Sequence, residues 1–210
     1  MVRSCIGRVR DCLPGLQAAG YGQQVTSAIV IGVVAKTGSA VAVALSGPAA
    51  APRFRARREM ELVPPGLPAQ PYHTAADLDL AAAGELIAQV ESAAERAGAA
   101  GLLALAGLLP ASTVRAIAIV VKAVSMPDQL AGILRSHAWM HAAEGSLYRQ
   151  AVLAAATGCG WTTRAVEQSV LPPAGQAVTM LGQAAGRPWR RPEKDAARAA
   201  LTLLTAPEDE

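Results

Sequence analysis

The chain is poor in several residue types, and each shortage excludes a class of protein. Three cysteines in 210 residues, none spaced as C-x-x-C, exclude a zinc ribbon and a disulfide framework. Aromatic residues make up 3% of the chain, with one phenylalanine, so little is offered for stacking on bases. No apolar run has the roughly 18 residues and the context of a membrane span. The charged start also lacks the apolar run of a secretory signal. We therefore expect a cytoplasmic protein without a membrane partner.

The composition indicates one folded domain. Hydrophobic residues make up 52% of the chain and charged residues 17%, which excludes a disordered chain. The net charge of +3 permits a nucleic-acid partner without arguing for one. We predict a weakly ordered arm over residues 1–24, a single domain over residues 25–205 and an acidic tail over residues 206–210.

The first part of the domain shows the patterns of three antiparallel strands. Two β-branched runs, residues 25–35 and 39–45, flank a turn that contains Gly38 and predict a hairpin. Residues 53–63 alternate between apolar and charged side chains and predict a third strand. One face of this strand is expected to carry the apolar residues Phe54, Ala56, Met60 and Leu62. Charges on the other face typically protect a sheet edge, and the arginines could also hold phosphates.

The rest of the domain alternates helices with strands. Thr74, followed by Asp77, predicts the start of a helix over about residues 75–97. A long central helix should end near Gly158, and three residues signal its start: Ser125, Pro127 and Asp128. The remaining elements are strands over residues 114–121 and 161–166 and helices over about residues 172–185 and 193–204.

The predicted central helix holds an unusual set of polar residues. At about 100° per residue, His137, His141, Glu144 and Tyr148 fall within an arc of about 60°. That arc continues an apolar stripe in both directions, so these residues are expected to face other elements. Because buried polar groups need partners, the sequence indicates a site here.

One interpretation of this set is a metal site. His137, His141 and Glu144 share one helix face and could bind one divalent ion, with His73 as a further imidazole. Such a set suits zinc or iron. Zinc proteases place their glutamate directly after the first histidine, where this chain has Ala138. A divalent metal is the only cofactor that the sequence suggests, and its identity is unknown.

The other functional interpretation is metal-free acid–base or hydrolytic catalysis. Glu144 could orient His141 as the catalytic base. The remaining members would be catalytic His137 and Tyr148 and substrate-binding His73 and Arg149. The protein would then be a small enzyme whose partner is a small molecule rather than nucleic acid. A buried polar network that only fixes the helix would give the same pattern.

The order of elements and the closing helix resemble the ribonuclease H-like superfamily. Three antiparallel strands followed by alternating helices and strands form the α/β order of that fold. The segment Glu193-Lys-Asp-Ala-Ala-Arg is similar to the last helix of RuvC-type Holliday junction resolvases. The resemblance covers roughly residues 25–205. It implies a mixed five-stranded sheet flanked by helices, with Asp195 as the metal-binding acid of that helix.

Two departures from the family pattern bear on function. RuvC-type nucleases carry an aspartate on the first strand, where residues 29–34 of this chain have no acid. They also carry an acid at the end of the fourth strand, where this chain has Val121-Lys122. Two metal ions about 4 Å apart need several converging carboxylates. The alternative function is a nucleic-acid-binding protein without cleavage, using Asp195, Arg187, Arg190 and Arg191. A third is a non-catalytic interaction module whose alanine-rich helices could pair into a homo-oligomer.

Overall fold

A computed structural model of the protein describes residues 28–109 and 114–205. The N-terminal arm expected over residues 1–24 and the tail over residues 206–210 lie outside these ranges. The bounds of the domain, residues 25–205, therefore stay a prediction. No helix within the described ranges is long and apolar enough to cross a membrane.

Five strands form one mixed sheet, as the sequence predicts. They are β1 (Ile29–Lys36), β2 (Ser39–Ser46), β3 (Arg53–Glu61), β4 (Val114–Val121) and β5 (Thr162–Glu167). Their order across the sheet is β3-β2-β1-β4-β5. The first three strands are antiparallel, whereas β4 and β5 run parallel to β1. Gly38, at φ 72°, supplies the left-handed residue of the tight turn between β1 and β2.

Helices cover both faces of this sheet. One face carries α1 (Pro71–Ala75), α2 (Leu80–Ala106), α3 (Leu130–Ile133) and α4 (His137–Gly158). The other carries α5 (Gln176–Ala185) and α6 (Arg191–Thr205). Along β1, Ile31 and Val33 pack with the first group, and Val30 packs with α6. Because central strands are buried on both faces, their sequences are apolar throughout instead of alternating.

A bulge in β3 changes the face of Phe54. Phe54 and Ala56 pair with consecutive residues of β2, so Arg55 is an extra residue in the ladder. Phe54 consequently packs against Trp189 on the α6 side, whereas Ala56 and Met60 face the α2 side. The prediction that Phe54 shares a face with Met60 is wrong, because one inserted residue reverses the alternation of a strand.

Three helices begin later than their sequence signals predict: α5 begins at Gln176 and not near residue 172, and α2 and α4 begin at caps other than the predicted ones. The helix expected from Thr74 begins after Asp79, whose carboxylate accepts a backbone N–H of the first turn of α2 at 2.9 Å. Ser136 caps α4, so the central helix begins at His137 and not after Ser125, Pro127 and Asp128. Asp79 and Ser136 act as caps because in the folded protein their side chains can accept a backbone N–H group that has no partner within the helix.

Candidate functional site

All three histidines of the chain meet at one place on the α2–α4 side of the sheet. His73 comes from α1, His137 is the first residue of α4, and His141 follows one turn later. Nε2 of His73 lies 3.1 Å from Nδ1 of His137, and Nε2 of His141 lies 3.1 Å from Nε2 of His137. The ring centroids are 4.5 to 4.8 Å apart. We call His73, His137 and His141 the histidine cluster.

Local structure explains how His73 reaches α4. Pro71, whose ring fixes φ and which needs no N–H partner, occupies the first turn of α1. The hydroxyl of Tyr148 donates to the carbonyl oxygen of Ala69 at 2.7 Å and ties the chain before α1 to α4. The start of α4 after Ser136 places His137 at the rim of the domain, where it is exposed.

Glu144 forms the floor of the histidine cluster. It has no exposed surface. Its Oε1 lies 2.8 Å from Nδ1 of His73 and also accepts the backbone N–H of His73 at 3.4 Å. Its Oε2 lies 3.6 Å from Nδ1 of His141 and has no hydrogen-bond partner. One buried carboxylate therefore faces the Nδ1 atoms of two imidazoles and leaves both Nε2 atoms directed at His137.

The other two residues of the predicted site lie outside this cluster. Tyr148 is fully buried below it, and burial, with a smaller effect of Glu144, raises its pKa to about 12. Tyr148 therefore keeps its proton at neutral pH and donates it to the carbonyl oxygen of Ala69. Arg149 is half-buried; burial lowers the pKa of its guanidinium, and nearby Glu167 at the end of β5 raises it. Catalysis by the predicted set stays a prediction.

A second candidate surface lies at the β3 edge of the sheet. Arg57 donates to the carbonyl oxygens of residues 186–188 and fixes the loop before α6 against β3. Phe54 and Trp189 add an edge-to-face contact with ring centroids 6.5 Å apart. Strand and loop together bring eight basic residues to this edge of the sheet, and we call this group the basic edge: Arg53, Arg55, Arg57, Arg58, Arg187, Arg190, Arg191 and Lys194.

The sequence indicated the loop arginines and allowed the β3 arginines to hold phosphates, but it did not predict the contact of Arg57 with the loop or a role for Lys194. In the sequence, Arg57 looks like one more charged residue of a solvent-exposed strand. Its role could not be predicted because its partners lie about 130 residues further along the chain. Lys194 stands between Glu193 and Asp195, the acid that the family resemblance singles out, and it is exposed. The only sequence signal for both is the density of arginine and lysine in the two segments.

The acids of α6 do not form a metal site of the two-ion type. Asp195 is buried and pairs with Arg198 at 2.7 Å, and its other oxygen lies 3.6 Å from Arg191. Glu193 is also buried and accepts the backbone N–H of Arg190 at 2.9 Å. In the part of the chain that the structure describes, the histidine cluster is the only close group of three metal-ligating side chains. The residues present therefore do not fit the two-ion chemistry that the resemblance implies.

The chain is similar in structure to RuvC of Thermus thermophilus. RuvC in complex with Holliday junction substrate aligns with a TM-score of 0.47 and 16% identity, covering 83% of this chain and 91% of that one. A second structure of that RuvC aligns with a TM-score of 0.46 and 17% identity, covering 83% and 92%. No protein-family model matches the chain, and no curated protein is significantly similar to it.

The fold is ribonuclease H-like. Three antiparallel strands, two further strands parallel to the first, and helices on both faces are the architecture that the sequence resemblance implies. The predicted fold, a mixed five-stranded sheet flanked by helices, is confirmed. Fold alone does not determine activity, so the function must be argued from the side chains.

The expectation that a small molecule, and not nucleic acid, is the partner is wrong. The similar structure that holds a substrate is RuvC in complex with Holliday junction substrate, which is not a small molecule. The sequence-based preference came from the catalytic interpretation of the central helix, and low aromatic content and a small net charge gave no argument for nucleic acid. Both are averages over the chain, and they conceal the local concentration of arginine at the basic edge.

Proposed function

We propose that this protein binds nucleic acid through the basic edge and does not cleave it with the acids of the RuvC type. The observation that carries the proposal is the arrangement of the edge itself. Arg57 holds an arginine-bearing loop against an arginine-bearing edge strand, so two basic segments of the sequence lie together at one edge of the sheet.

Burial and pairing keep this surface positive. Arg53, Arg55 and Arg58 are exposed on β3, as are the three loop arginines and Lys194. The neighbouring acids Glu193 and Asp195 are 6% and 5% exposed and take internal partners. The negative charges therefore point into the protein while the positive charges remain available to solvent.

The charges of β3 are also divided along the strand. Its first part carries four arginines, and its last part carries Glu59 and Glu61. Glu59 lies 3.1 Å from Nζ of Lys36. A phosphate backbone would therefore meet an attractive surface at the loop end of β3 and a repulsive one at the other end.

The lack of cleavage follows from the residues at the strand ends. The first strand carries Val33 and Val34, and Asp195 is held by Arg198. Glu167 at the end of β5 accepts the backbone N–H of Ala123 at 3.2 Å and is thus engaged in structure. Without converging carboxylates, two divalent ions would lack the negative charge that offsets them.

The salt dependence of binding tests the proposal. A labelled four-way DNA junction and a duplex of equal length are titrated with protein by fluorescence anisotropy at salt concentrations spanning a fourfold range. Each phosphate bound by the protein should lower affinity about 3.5-fold over that range. The variant Arg55→Ala/Arg187→Ala/Arg190→Ala should bind weakly, and its salt slope should fall by about one for each phosphate that the variant no longer neutralises.

Arg96→Ala is the matched control. Arg96 is exposed on α2, which covers the opposite face of the sheet from α6. This variant should keep both the affinity and the salt slope of the wild type. Equal binding by the triple variant and the wild type would refute the basic edge as the binding surface. Cleavage of the junction with Mg²⁺ or Mn²⁺, abolished by Asp195→Asn, would refute the absence of nuclease activity.

A further inference from the structure

We propose that the histidine cluster is a binding site for one divalent transition metal ion, with Zn²⁺ as the best fit. The site is separate from the basic edge, and it uses none of the acids that the nuclease resemblance singles out. His73, His137 and His141 would be the ligands, and Glu144 would orient two of them from behind.

The distances suit a four-coordinate ion. One nitrogen from each histidine can be chosen so that all three lie within 4.8 Å of one another. Zinc–nitrogen bonds of about 2.0–2.1 Å in tetrahedral geometry place ligand nitrogens roughly 3.3 Å apart. The shortest nitrogen separations are 3.1 Å, so small rotations of exposed rings would open the space for an ion. A set of imidazoles favours zinc, copper, nickel and iron over magnesium and calcium.

Without a metal ion, the histidine cluster lacks a hydrogen bond between His141 and Glu144. If Nδ1–H of His73 donates to Glu144, its Nε2 can accept from Nδ1–H of His137, whose Nε2 can accept from Nε2–H of His141. Nδ1 of neutral His141 is then a lone pair facing Oε2 of Glu144. That oxygen is buried and has no hydrogen-bond partner, which is a costly arrangement.

A bound ion resolves this arrangement. With a metal at the Nε2 atoms, His73 and His141 each carry the proton on Nδ1, and both can donate to Glu144. The distance of 3.6 Å between Nδ1 of His141 and Oε2 would then shorten to a hydrogen bond. A carboxylate that accepts from metal-binding histidines is the usual support that fixes their tautomer and raises their basicity. The ion also supplies the positive charge that a fully buried carboxylate needs.

The cluster is accessible from solvent. His137 and His141 are exposed, and His73 is half-buried. An ion therefore has an entry path, and a fourth coordination position would face water. Binding would also link α1 to the start of α4, joining residues 64 positions apart in sequence.

Metal titration of the untagged protein tests this proposal. Added Zn²⁺ should bind at one equivalent by calorimetry, and a hundredfold excess over Kd should raise the Tm by about 5–10 °C. Co²⁺ should give the visible absorption of a tetrahedral nitrogen site. Nitrogen NMR of the three histidines should show Nε2 as the ligand atom of His73 and His141. His137→Ala and His141→Ala, both at exposed positions, should each abolish binding.

Two further variants separate the cluster from other sources of binding. Glu144→Gln should keep all three ligands and weaken binding about 10–100-fold. Cysteine thiolates also bind zinc, so the variant Cys5→Ser/Cys12→Ser/Cys159→Ser tests them as an alternative site. It should bind zinc as the wild type does, because the histidine cluster contains no cysteine. Binding that survives both histidine variants, or is lost with the cysteines, would overturn the assignment. So would the absence of any bound ion at equimolar Zn²⁺.

Discussion

The packing of α6 on β1 makes a sharp prediction about Gly32. A Cβ atom at Gly32 would lie 2.7 Å from the backbone nitrogen of Ala200 and closer still to the carbonyl oxygen of Ala196. Both obstacles are backbone atoms of a helix, so no side-chain rotation can remove them. In Gly32→Ala the whole of α6 would have to move away from the sheet.

The energy of that movement can be estimated from what α6 buries. Its inner face packs closely on the sheet through four alanines and one leucine, namely Ala196, Ala197, Ala199, Ala200 and Leu203. A gap of about 0.5–1 Å forfeits a quarter to a half of the dispersion energy of each atom pair. Overpacking typically costs about 1–3 kcal/mol, and we expect the upper end because backbone must shift. For a chain of this size, about 3 kcal/mol corresponds to a fall in Tm of roughly 6–12 °C.

Two other glycines provide matched controls. Gly84 lies in α2 with Leu130 as its nearest neighbour at 4.0 Å, so Gly84→Ala should stabilise by about 0.5–1 kcal/mol. A Cβ at Gly101 would lie 2.6 Å from the sulfur of Met60, a flexible side chain, so Gly101→Ala should destabilise by less than Gly32→Ala. Thermal melts of the three variants should therefore give the highest Tm for Gly84→Ala and the lowest for Gly32→Ala. A Gly32→Ala protein that melts with the wild type would refute the close packing of α6 on β1.

Two predictions concern buried charge and buried hydroxyl. Arg198→Ala should destabilise by about 3 kcal/mol in urea unfolding, because it leaves buried Asp195 with one distant, exposed arginine, and Arg198→Met/Asp195→Asn should recover part of this loss. A double variant as unstable as the single one would contradict the ion-pair account. Tyr148 should ionise near pH 12, seen as the tyrosinate absorbance step lost in Tyr148→Phe. Since its pKa is raised above 10, its contribution to stability is complete below pH 10 and is lost as pH rises towards 12; ionisation near pH 10 would contradict this.

Local sequence determined most of the secondary structure. Dense β-branched runs predict β1, β2 and β4, and the glycine after Thr37 predicts the turn between the first two strands. Helix starts were less predictable, since both Thr74 and Asp79 are good capping residues. The choice between them depends on the direction in which the chain leaves the sheet, and only packing against α4 sets that direction.

The absence of the two strand acids of the RuvC-type family was also evident from the sequence alone. The strand segments that should carry them contain no carboxylate, and no folding can supply one at those positions. The partner could not be judged in this way. The surface charge on which the proposed nucleic-acid binding rests depends on Arg57, which joins two segments that lie far apart in the sequence.

The histidine cluster was likewise predicted in part from the sequence and completed only by the tertiary structure. Helical spacing by itself placed His137, His141 and Glu144 on one side of a helix, because an α-helix repeats every 3.6 residues or so. Only the tertiary structure brought in His73, since that contact depends on how α1 docks on α4. Burial was likewise decided by the fold: residues on one helical stripe differ in exposure because Glu144 lies under α1 while His137 and His141 lie at the rim. Periodicity determines which side of a helix a residue lies on. Only the neighbouring elements determine which residues on that side are buried.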